Sequence, residues 1–540
     1  MKRIFSLLLC LALLCGLLGG CRQPATAPAE TSAAPGEVIS GSTAPSTEPP
    51  ETEATEATAE PGERSFGLAY VPEFGLNPYD CMCLTNRPIL SLMYESLFVL
   101  NNHFEPEPVL CDRFAVSGDG LTYVLTLCDG VCFSDGSALT AQDVVASLYA
   151  ATDSDYYGSR FSQVSAFGAQ DARTVVITLN TPYENLPLLL DVPIVKHGTE
   201  TDDVPTGSGP YRLSGQNLVK NHNWWQDAVA PLDANLVQLK LCATPSEVRD
   251  SFEFGGTTLV CVDINAPAAV GYRCDYELWD CPTTTMQYLG FNFASGICAD
   301  PVFRPAITHV LDREDFIASI YKGFASAACL PCAPSSPLYD SKLASDYDYD
   351  PEAFATALRL SGVGRDYSGT ILVCSADASR VELAHYIANV FADYHIKLTV
   401  NALDYDSYMY ALSIGNFDMF IGETRLSGNF DLREFFRPYG ALSFGGITSY
   451  DCERLCTSAL ENSGNYYDLH KKVMDTGYIC PLLFKSYAVM VNRGAISNLQ
   501  SSVDNVFHLP GGRSLADASV PYAELAYGIP DDPGAEGEGD

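Results

Sequence analysis

The sequence predicts an α/β protein, on three observations. Strand-like and helix-like segments alternate between residues 370 and 422, which is the signature of a parallel sheet covered by helices. Residues 121–127 and 175–179 alternate apolar and polar positions, as half-buried strands do. Hydrophobic residues make up 47% of the chain, ample for a large core and too many for a disordered polymer.

Taken in order, the first strand is expected at 66–71. A helix follows over 88–99, with Ile89, Leu92, Met93 and Leu97 at helical spacing. After the strand 121–127, the turn dipeptides Asp129-Gly130 and Asp135-Gly136 bracket a short strand. Thr140 stands at an N-cap position, with Asp143 three residues on, ahead of the helix 144–151. The strand 175–179 comes next. Gly207-Ser208-Gly209-Pro210 makes a bend before a further strand, since glycine permits positive φ and proline fixes its own. Residues 288–293 read as a strand, and 302–311 and 313–321 as two helices, the second capped by Asp312. The helix 351–361 is expected to close at Gly362. The strand 370–374 leads to the helix 381–394, whose Ala384, Ile387, Ala388 and Phe391 share one face. Strand 397–402, helix 405–414 and strand 417–422 complete the series. No internal repeat of fixed period is visible.

The ends read differently. Lys2 and Arg3 precede an apolar run over 4–18 that is too short for a confident membrane span. The run ends in Leu18-Gly19-Gly20-Cys21, which resembles the bacterial lipobox. That resemblance implies a signal peptide over 1–20, cleavage before Cys21 and a lipid on its sulfur, anchoring the chain outside the cytoplasm. The alternative is an ordinary secretory signal followed by a chance cysteine. Residues 21–63 are nearly all Pro, Ala, Thr, Ser, Glu and Gly, a composition that cannot offset the entropy of ordering and reads as a disordered tether. Residues 528–540, rich in Gly, Pro and acids, read as a frayed tail.

The length of 540 residues amounts to three or four domains at roughly 100–200 residues each. The net charge of −36 argues against nucleic acid, whose phosphates require clustered Lys and Arg. It favours cationic or zwitterionic solutes over anionic ones. Of 19 cysteines, Cys10 and Cys15 leave with the signal and Cys21 takes lipid, so 16 remain. Outside the cytoplasm these are compatible with disulfides or with reduced, buried thiols, and spacing does not pair them. Cys329-Leu330-Pro331-Cys332 has no second C-x-x-C to complete a zinc site, leaving a loop disulfide or free thiols. The eight histidines form no H-E-x-x-H motif or close cluster, so no protein-held metal is expected.

A succession of short motifs then becomes informative. Tyr94-Glu95-Ser96-Leu97-Phe98 is followed by Pro106-Glu107-Pro108-Val109-Leu110, Asp119-Gly120-Leu121-Thr122-Tyr123 and Asp129-Gly130-Val131-Cys132-Phe133-Ser134-Asp135-Gly136. Leu139-Thr140-Ala141-Gln142-Asp143-Val144, Gly207-Ser208-Gly209-Pro210-Tyr211, Asn223-Trp224-Trp225 and Leu289-Gly290-Phe291-Asn292 come after them. Arg304-Pro305-Ala306, Leu311-Asp312-Arg313, Tyr349-Asp350-Pro351-Glu352-Ala353 and Asn416-Phe417-Asp418 close the list. In this order the motifs resemble the extracellular solute-binding proteins of family 5, the oligopeptide, dipeptide and nickel group. Each is weak alone, and their ordered sum over 66–495 is strong.

The resemblance implies a two-lobed periplasmic-binding-protein-like fold, type II and cluster C-like, with an extra domain in the first lobe. Lobe I would combine 64–98, 188–282 and 491–527, the additional domain would span 99–187, and lobe II 283–490. A solute would be enclosed by hinge closure near crossings around 283 and 490. It would then pass to an ABC permease and its ATPase. The chain lacks a G-x-x-x-x-G-K-[ST] loop and is not that ATPase. No cofactor and no catalytic residue are implied, and the receptor is expected to be monomeric.

In peptide-binding members, a segment after the "FD" strand carries a Trp and an Asp that holds the peptide's α-ammonium. Here 417–431 contains no W-x-x-D-Y and offers Glu423, Arg425 and Asp431 instead. Glu423 or Asp431 would take an amine and Arg425 a carboxylate; alternatively, Arg425 pairs with an acid and stiffens a loop. The candidate ligand residues are Asn77, Tyr79, Tyr94, Asn292, Glu423, Arg425, Asn429 and Asp431. The three tryptophans, Trp224, Trp225 and Trp279, and the tyrosines Tyr405, Tyr408 and Tyr410 are assigned to packing. The leading function is a lipid-anchored receptor for peptide-like solutes in an ABC importer. The alternatives are a receptor for a nickel chelate or other non-peptide solute, a cell-surface hydrolase, and a sensor that feeds no permease.

Overall fold

The computed structural model describes residues 66–526 apart from 227–231, 233, 267–270, 295, 364–365, 497–498 and 510–511. The signal segment 1–20, the tether 21–63 with Cys21 and the tail 528–540 lie outside the described residues.

One sheet of 11 strands organises the chain. Its order runs Tyr211–Ser214, Asn217–Lys220, Leu236–Leu241, Phe66–Tyr70, Leu259–Val262, Ile479–Asn492, Tyr276–Phe291, Met419–Arg425, Tyr367–Cys374 and Ile396–Leu403, with Ala325–Ala327 also paired to Ile479–Asn492. The antiparallel pair in the middle is made of two long strands, Tyr276–Phe291 with 16 residues and Ile479–Asn492 with 14. This pair slips register between Pro282 and Met286 and again between Gln287 and Tyr288. Pro282 has no N–H to give to a ladder, so a break is cheap at that point.

On one side of the pair, Phe66–Tyr70 runs parallel to Leu236–Leu241 and Leu259–Val262. On the other, Tyr367–Cys374 runs parallel to both Ile396–Leu403 and Met419–Arg425. This is the parallel α/β unit expected from 370–422. Its helix Ala378–Ala392 buries Leu383, Ala384, Ile387 and Phe391. A separate antiparallel sheet of four strands, Cys111–Val116, Thr122–Leu127, Thr174–Leu179 and Val164–Ala169, packs on helix Ala141–Thr152. That helix starts with the expected cap, a box in which Thr140 and Asp143 satisfy each other's backbone N–H groups. Asp312 caps the helix Arg313–Ser319 by accepting from the Asp315 N–H at 3.1 Å.

Several local expectations fail for identifiable reasons. The helix drawn over 88–99 spans only Arg87–Met93. Tyr94 is extended at φ −126° and ψ 142°, and Glu95–Ser96 pairs with Pro193–Ile194. Gly207 and Gly209 bring their backbone against Leu92, Met93 and Tyr94 so closely that a Cβ on Gly207 would sit 2.1 Å from the Met93 carbonyl oxygen. Leu97 is buried as the spacing suggested, but from extended chain. The helix expected over 302–311 is a short α turn, Phe303–Ala306, followed by a 3₁₀ turn, Ile307–Val310. The helix at 351 ends at Leu360 with an extended Ser361, and Gly362 gives its N–H to Asp300 Oδ2 at 2.8 Å without acting as a left-handed cap. Of the three tyrosines assigned to packing, Tyr408 is buried, whereas Tyr405 and Tyr410 are exposed, because Tyr408, Ala411 and Leu412 form the inward face of their helix. The 16 cysteines among the described residues, the C-x-x-C pair included, are free thiols.

Candidate functional site

Four segments distant in sequence converge on a cavity of about 130 Å³. Arg87 opens the helix Arg87–Met93, and the fully buried Asn86 fixes that start. The Asn86 side chain accepts from the Val71 N–H at 2.9 Å and donates to the Val71 and Gly75 carbonyls, both at 3.0 Å. Tyr156 lies in the turn after helix Ala141–Thr152, where Ser154 Oγ donates to the Tyr79 carbonyl at 2.6 Å and accepts from the Tyr156 N–H at 3.1 Å. Arg425 ends the strand Met419–Arg425, opposite Thr285. Asp504 has a left-handed backbone, φ 58°, and its N–H donates to the Pro282 carbonyl at 2.8 Å.

The side chains of Arg87, Arg425, Tyr156 and Asp504 form one charge cluster in the cavity wall. Arg425 Nη2 donates to Asp504 Oδ2 at 2.7 Å, while Arg87 Nη1 lies 3.7 Å from Asp504 Oδ1. Oδ1 is buried and has no hydrogen-bond partner. Both guanidinium carbons lie over the Tyr156 ring, that of Arg87 at 4.8 Å and that of Arg425 at 3.8 Å. Burial pulls the Arg87 pKa down, but Tyr156 and Asp504 outweigh it and leave the group above the ordinary arginine value. The cluster thus holds two cations against one carboxylate.

Glu95 forms another part of the wall. Its carboxylate accepts from Ser208 Oγ at 2.7 Å, Trp224 Nε1 at 3.1 Å, Trp225 Nε1 at 3.0 Å and Gln226 Nε2 at 3.2 Å. Burial pushes its pKa up, and the donors oppose that shift. Indole N–H groups can only donate, so this ring of donors suits the ionised form. Asp191, also in the wall, is paired with the buried Arg160.

A larger cavity of about 590 Å³ is walled by apolar side chains such as Phe104, Leu188, Leu338 and Leu515 together with polar ones, Glu105, Glu107 and Asn185 among them. Its arginine, Arg513, is already bonded to Asp112 at 2.7 Å. The smaller cavity is the one where chemistry converges.

The sequence matches the family described as bacterial extracellular solute-binding proteins, family 5 Middle, over residues 105–443. The chain belongs to this family. Among curated relatives of this family 5 protein, the glutathione-binding protein GsiB of Salmonella typhi is 25% identical over 349 residues, covering 61% of this chain and 67% of the relative. Among solved structures, the ABC transporter substrate binding protein CtaP of Listeria monocytogenes aligns with a TM-score of 0.68 at 18% identity, over 84% of this chain and 99% of that one. NikZ from Campylobacter jejuni, in complex with Ni(L-His), aligns with a TM-score of 0.61 at 19% identity, over 81% and 96%. These likenesses show the two-lobed periplasmic-binding-protein fold.

In this family 5 protein, two of the eight residues proposed from sequence, Tyr94 and Arg425, line the same cavity. Tyr94 gives its hydroxyl to the Leu76 and Pro205 carbonyls at 3.0 and 3.1 Å. Asn77 and Asn292 spend their amides on backbone. Asn77 Nδ2 donates to the Glu200 and Asp202 carbonyls, and Asn292 Nδ2 to those of Gly415 and Phe417. Tyr79 donates to the Pro193 carbonyl at 2.8 Å and, through Ser154, helps to place Tyr156.

Glu423 belongs to a neighbouring network around the buried Lys485. Lys485 Nζ lies 2.5 Å from Asp263, 3.5 Å from Glu423 and 3.8 Å from Asp377. Gln287 Nε2 also donates to Glu423 at 2.7 Å. Asn429 and Asp431 lie in a loop pressed onto the 100–188 region. There Phe430 meets the Phe104 ring at 5.2 Å, and a Cβ on Gly428 would come within 2.9 Å of the Leu188 carbonyl oxygen. Asp431 is held by Arg433 at 2.6 Å, and Arg433 Nη2 in turn reaches Ser162 Oγ at 3.0 Å.

Arg425 does pair with an acid, but the acid is Asp504, 79 residues further along the chain. Arg87, Tyr156, Glu95 and Asp504 escape a sequence reading. Glu95 and the Trp224-Trp225 pair both sit inside motifs that carry the family resemblance, a signal that pairs them only in hindsight. Nothing local marks Asp504. Among the described residues, no group of three or more His, Cys, Asp or Glu is placed to hold a metal ion.

Proposed function

We propose that this protein captures small peptide-like solutes between its two lobes, from a lipid anchor at Cys21, and passes them as a monomer to an ABC permease and its ATPase. The observation that carries the reading is the cluster of Arg87, Arg425 and Asp504 beside the Tyr156 ring in the cavity wall. Charges of both signs at hydrogen-bonding range suit a zwitterion, with the aromatic ring contributing apolar contact. With lobe I taken as 64–98, 188–282 and 491–527, the additional domain as 99–187 and lobe II as 283–490, the cluster draws on all three bodies. Arg87 and Asp504 come from lobe I, Tyr156 from the additional domain and Arg425 from lobe II. Hinge closure would complete the site, with the register slip at Pro282 lying at its base. The relative GsiB, named for glutathione, a tripeptide, points the same way.

The test is native mass spectrometry of the chain beginning at residue 21, incubated with a defined mixture of free di- and tripeptides. Retention of intact peptides is expected, and Arg425→Lys, which keeps a cation beside the buried Asp504 but loses the planar fork, should weaken it in samples held well below their melting temperature. Cleaved peptides would point to a hydrolase. A co-purifying metal chelate with no peptide retained would overturn the peptide reading.

A further inference from the structure

The larger cavity, about 590 Å³, falls within the roughly 300–1,000 Å³ of small-molecule sites, which combine apolar walls with a few placed polar groups. Its walls come from four stretches of chain, 101–107, 185–188, 336–338 and 512–516. Phe104 and Leu188 are buried there, and Leu338 and Leu515 are half-buried. The charge of the wall is one-sided. Its cation, Arg513, gives Nη1 to the Asp112 carbonyl and carboxylate, both at 2.7 Å, and Nη2 to the Cys111 carbonyl at 3.1 Å. Among the described residues, neither Glu105 nor Glu107 is paired with a lysine or arginine. Both accept from the Asn101 side-chain amide, at 3.1 and 3.2 Å, which sets the two carboxylates beside each other. Glu107 also accepts from His508 Nε2 at 3.1 Å. Burial lowers the pKa of that imidazole against the pull of Glu107, so near pH 7 it serves as a neutral donor. The loop that carries the pair is braced. Asn101 Oδ1 accepts from the His103 and Glu105 N–H groups at 2.9 and 3.1 Å, and the Phe104 ring rests against Phe430.

We infer that the larger cavity is a second ligand site, separate from the solute cavity, and that its ligand is an amphipathic organic cation, an apolar body carrying one protonated amine. Charge complementarity chooses the occupant. An anion would meet two carboxylates and a guanidinium whose N–H groups are already spent. An ammonium relieves the repulsion between Glu105 and Glu107. Glu105 is exposed and the Glu107 side chain 26% exposed, so the ammonium keeps part of its water while it pairs with them. The apolar body then covers Leu338 and Leu515 and lies against Phe104 and Leu188. The two cavities meet at the hairpin of strands Phe98–Leu100 and Pro106–Pro108, where Leu100 lines the smaller and Asn101 the larger. They have no lining residue in common.

Tryptamine serves as the probe and calorimetry on the chain beginning at residue 21 as the readout. Indole-3-propionate, the same ring and linker ending in an acid, is the control. Tryptamine is expected to bind once per chain, and indole-3-propionate at least about tenfold more weakly. That comparison needs no variant. Glu105→Gln combined with Glu107→Gln keeps the shape of the wall, and the amide oxygen at 107 still accepts from His508. The double variant is expected to bind tryptamine about tenfold more weakly, and to retain peptides as the unaltered chain does in the mass-spectrometric test. No tryptamine binding, or equal binding of the two probes, would overturn the inference. So would an unchanged tryptamine affinity in the double variant, which would place the probe elsewhere on the chain. Loss of peptide retention together with tryptamine binding would make the cavity part of the solute site and overturn its separateness. If tryptamine responds as expected but neither chain retains peptide, the cation site stands and the peptide reading fails.

Discussion

His470 lies on the helix Tyr466–Thr476, wholly buried, and neither of its ring nitrogens has a hydrogen-bond partner. Burial lowers its pKa from 6.5 to about 4, with Asp340 opposing only weakly. An unfolded chain takes up the proton near 6.5, whereas the native chain resists it until about 4. Between these values the unfolded state binds more protons, so stability is full above pH 6.5 and declines as the pH falls toward 4. At about 1.4 kcal/mol per unit, the shift amounts to a loss of roughly 3 kcal/mol by pH 4. Replacing His470 with Leu removes the titrating group and its two orphaned nitrogens. Urea unfolding of both chains at pH 7.5 and pH 4.5 isolates this residue, because every other titrating group is shared. The His470→Leu chain should gain about 2.5 kcal/mol relative to the unaltered chain on going from pH 7.5 to 4.5. Parallel pH dependences for the two chains would show that the native state protonates His470 freely, and the account of its burial would fall.

Two further perturbations follow from packing and charge. Lys485→Met removes the buried cation shared by the partly exposed Asp263, Glu423 and Asp377, of which Asp377 keeps Arg380 and Glu423 keeps Gln287, at a cost of about 1–3 kcal/mol in urea unfolding; a cost below about 0.5 kcal/mol would mean that water screens the network. Gly207→Ala sets a Cβ 2.1 Å from the Met93 carbonyl oxygen and 2.6 Å from the Tyr94 ring. The backbone must shift, a destabilisation of about 1–3 kcal/mol or more that a thermal melt would register, and an unchanged melt would refute the tight approach.

The parts of the fold legible in the sequence are those whose signals are local. The parallel unit ending at Arg425 announces itself by strand and helix periods in adjacent segments, and the Thr140–Asp143 box by two residues three apart. The spacing of Ile89, Leu92, Met93 and Leu97 misleads beyond Met93, where the chain turns extended and Gly207 and Gly209, more than a hundred residues away, press their backbone against Leu92, Met93 and Tyr94. The site divides the same way. Arg425 stands out within its own segment as a cation among acids. Its partner Asp504 and its neighbours Arg87 and Tyr156 become meaningful only when the sheet brings their segments together. Asn77, Asn292 and Asn429 look like ligand-reading amides in sequence, but in the fold they brace loops.

The free thiols carry a consequence of another kind. Twelve of the 16 are buried in the folded chain, and none is paired. Cohesion among the described residues therefore comes from apolar packing and buried polar networks. The hazard is reversed from that of a cross-linked secreted protein: an oxidant met before the core closes could couple any of these thiols wrongly, and each such bond would be foreign to the native state. Burial is the chain's own protection once the core has closed, and a reducing environment around it would be an ally of folding.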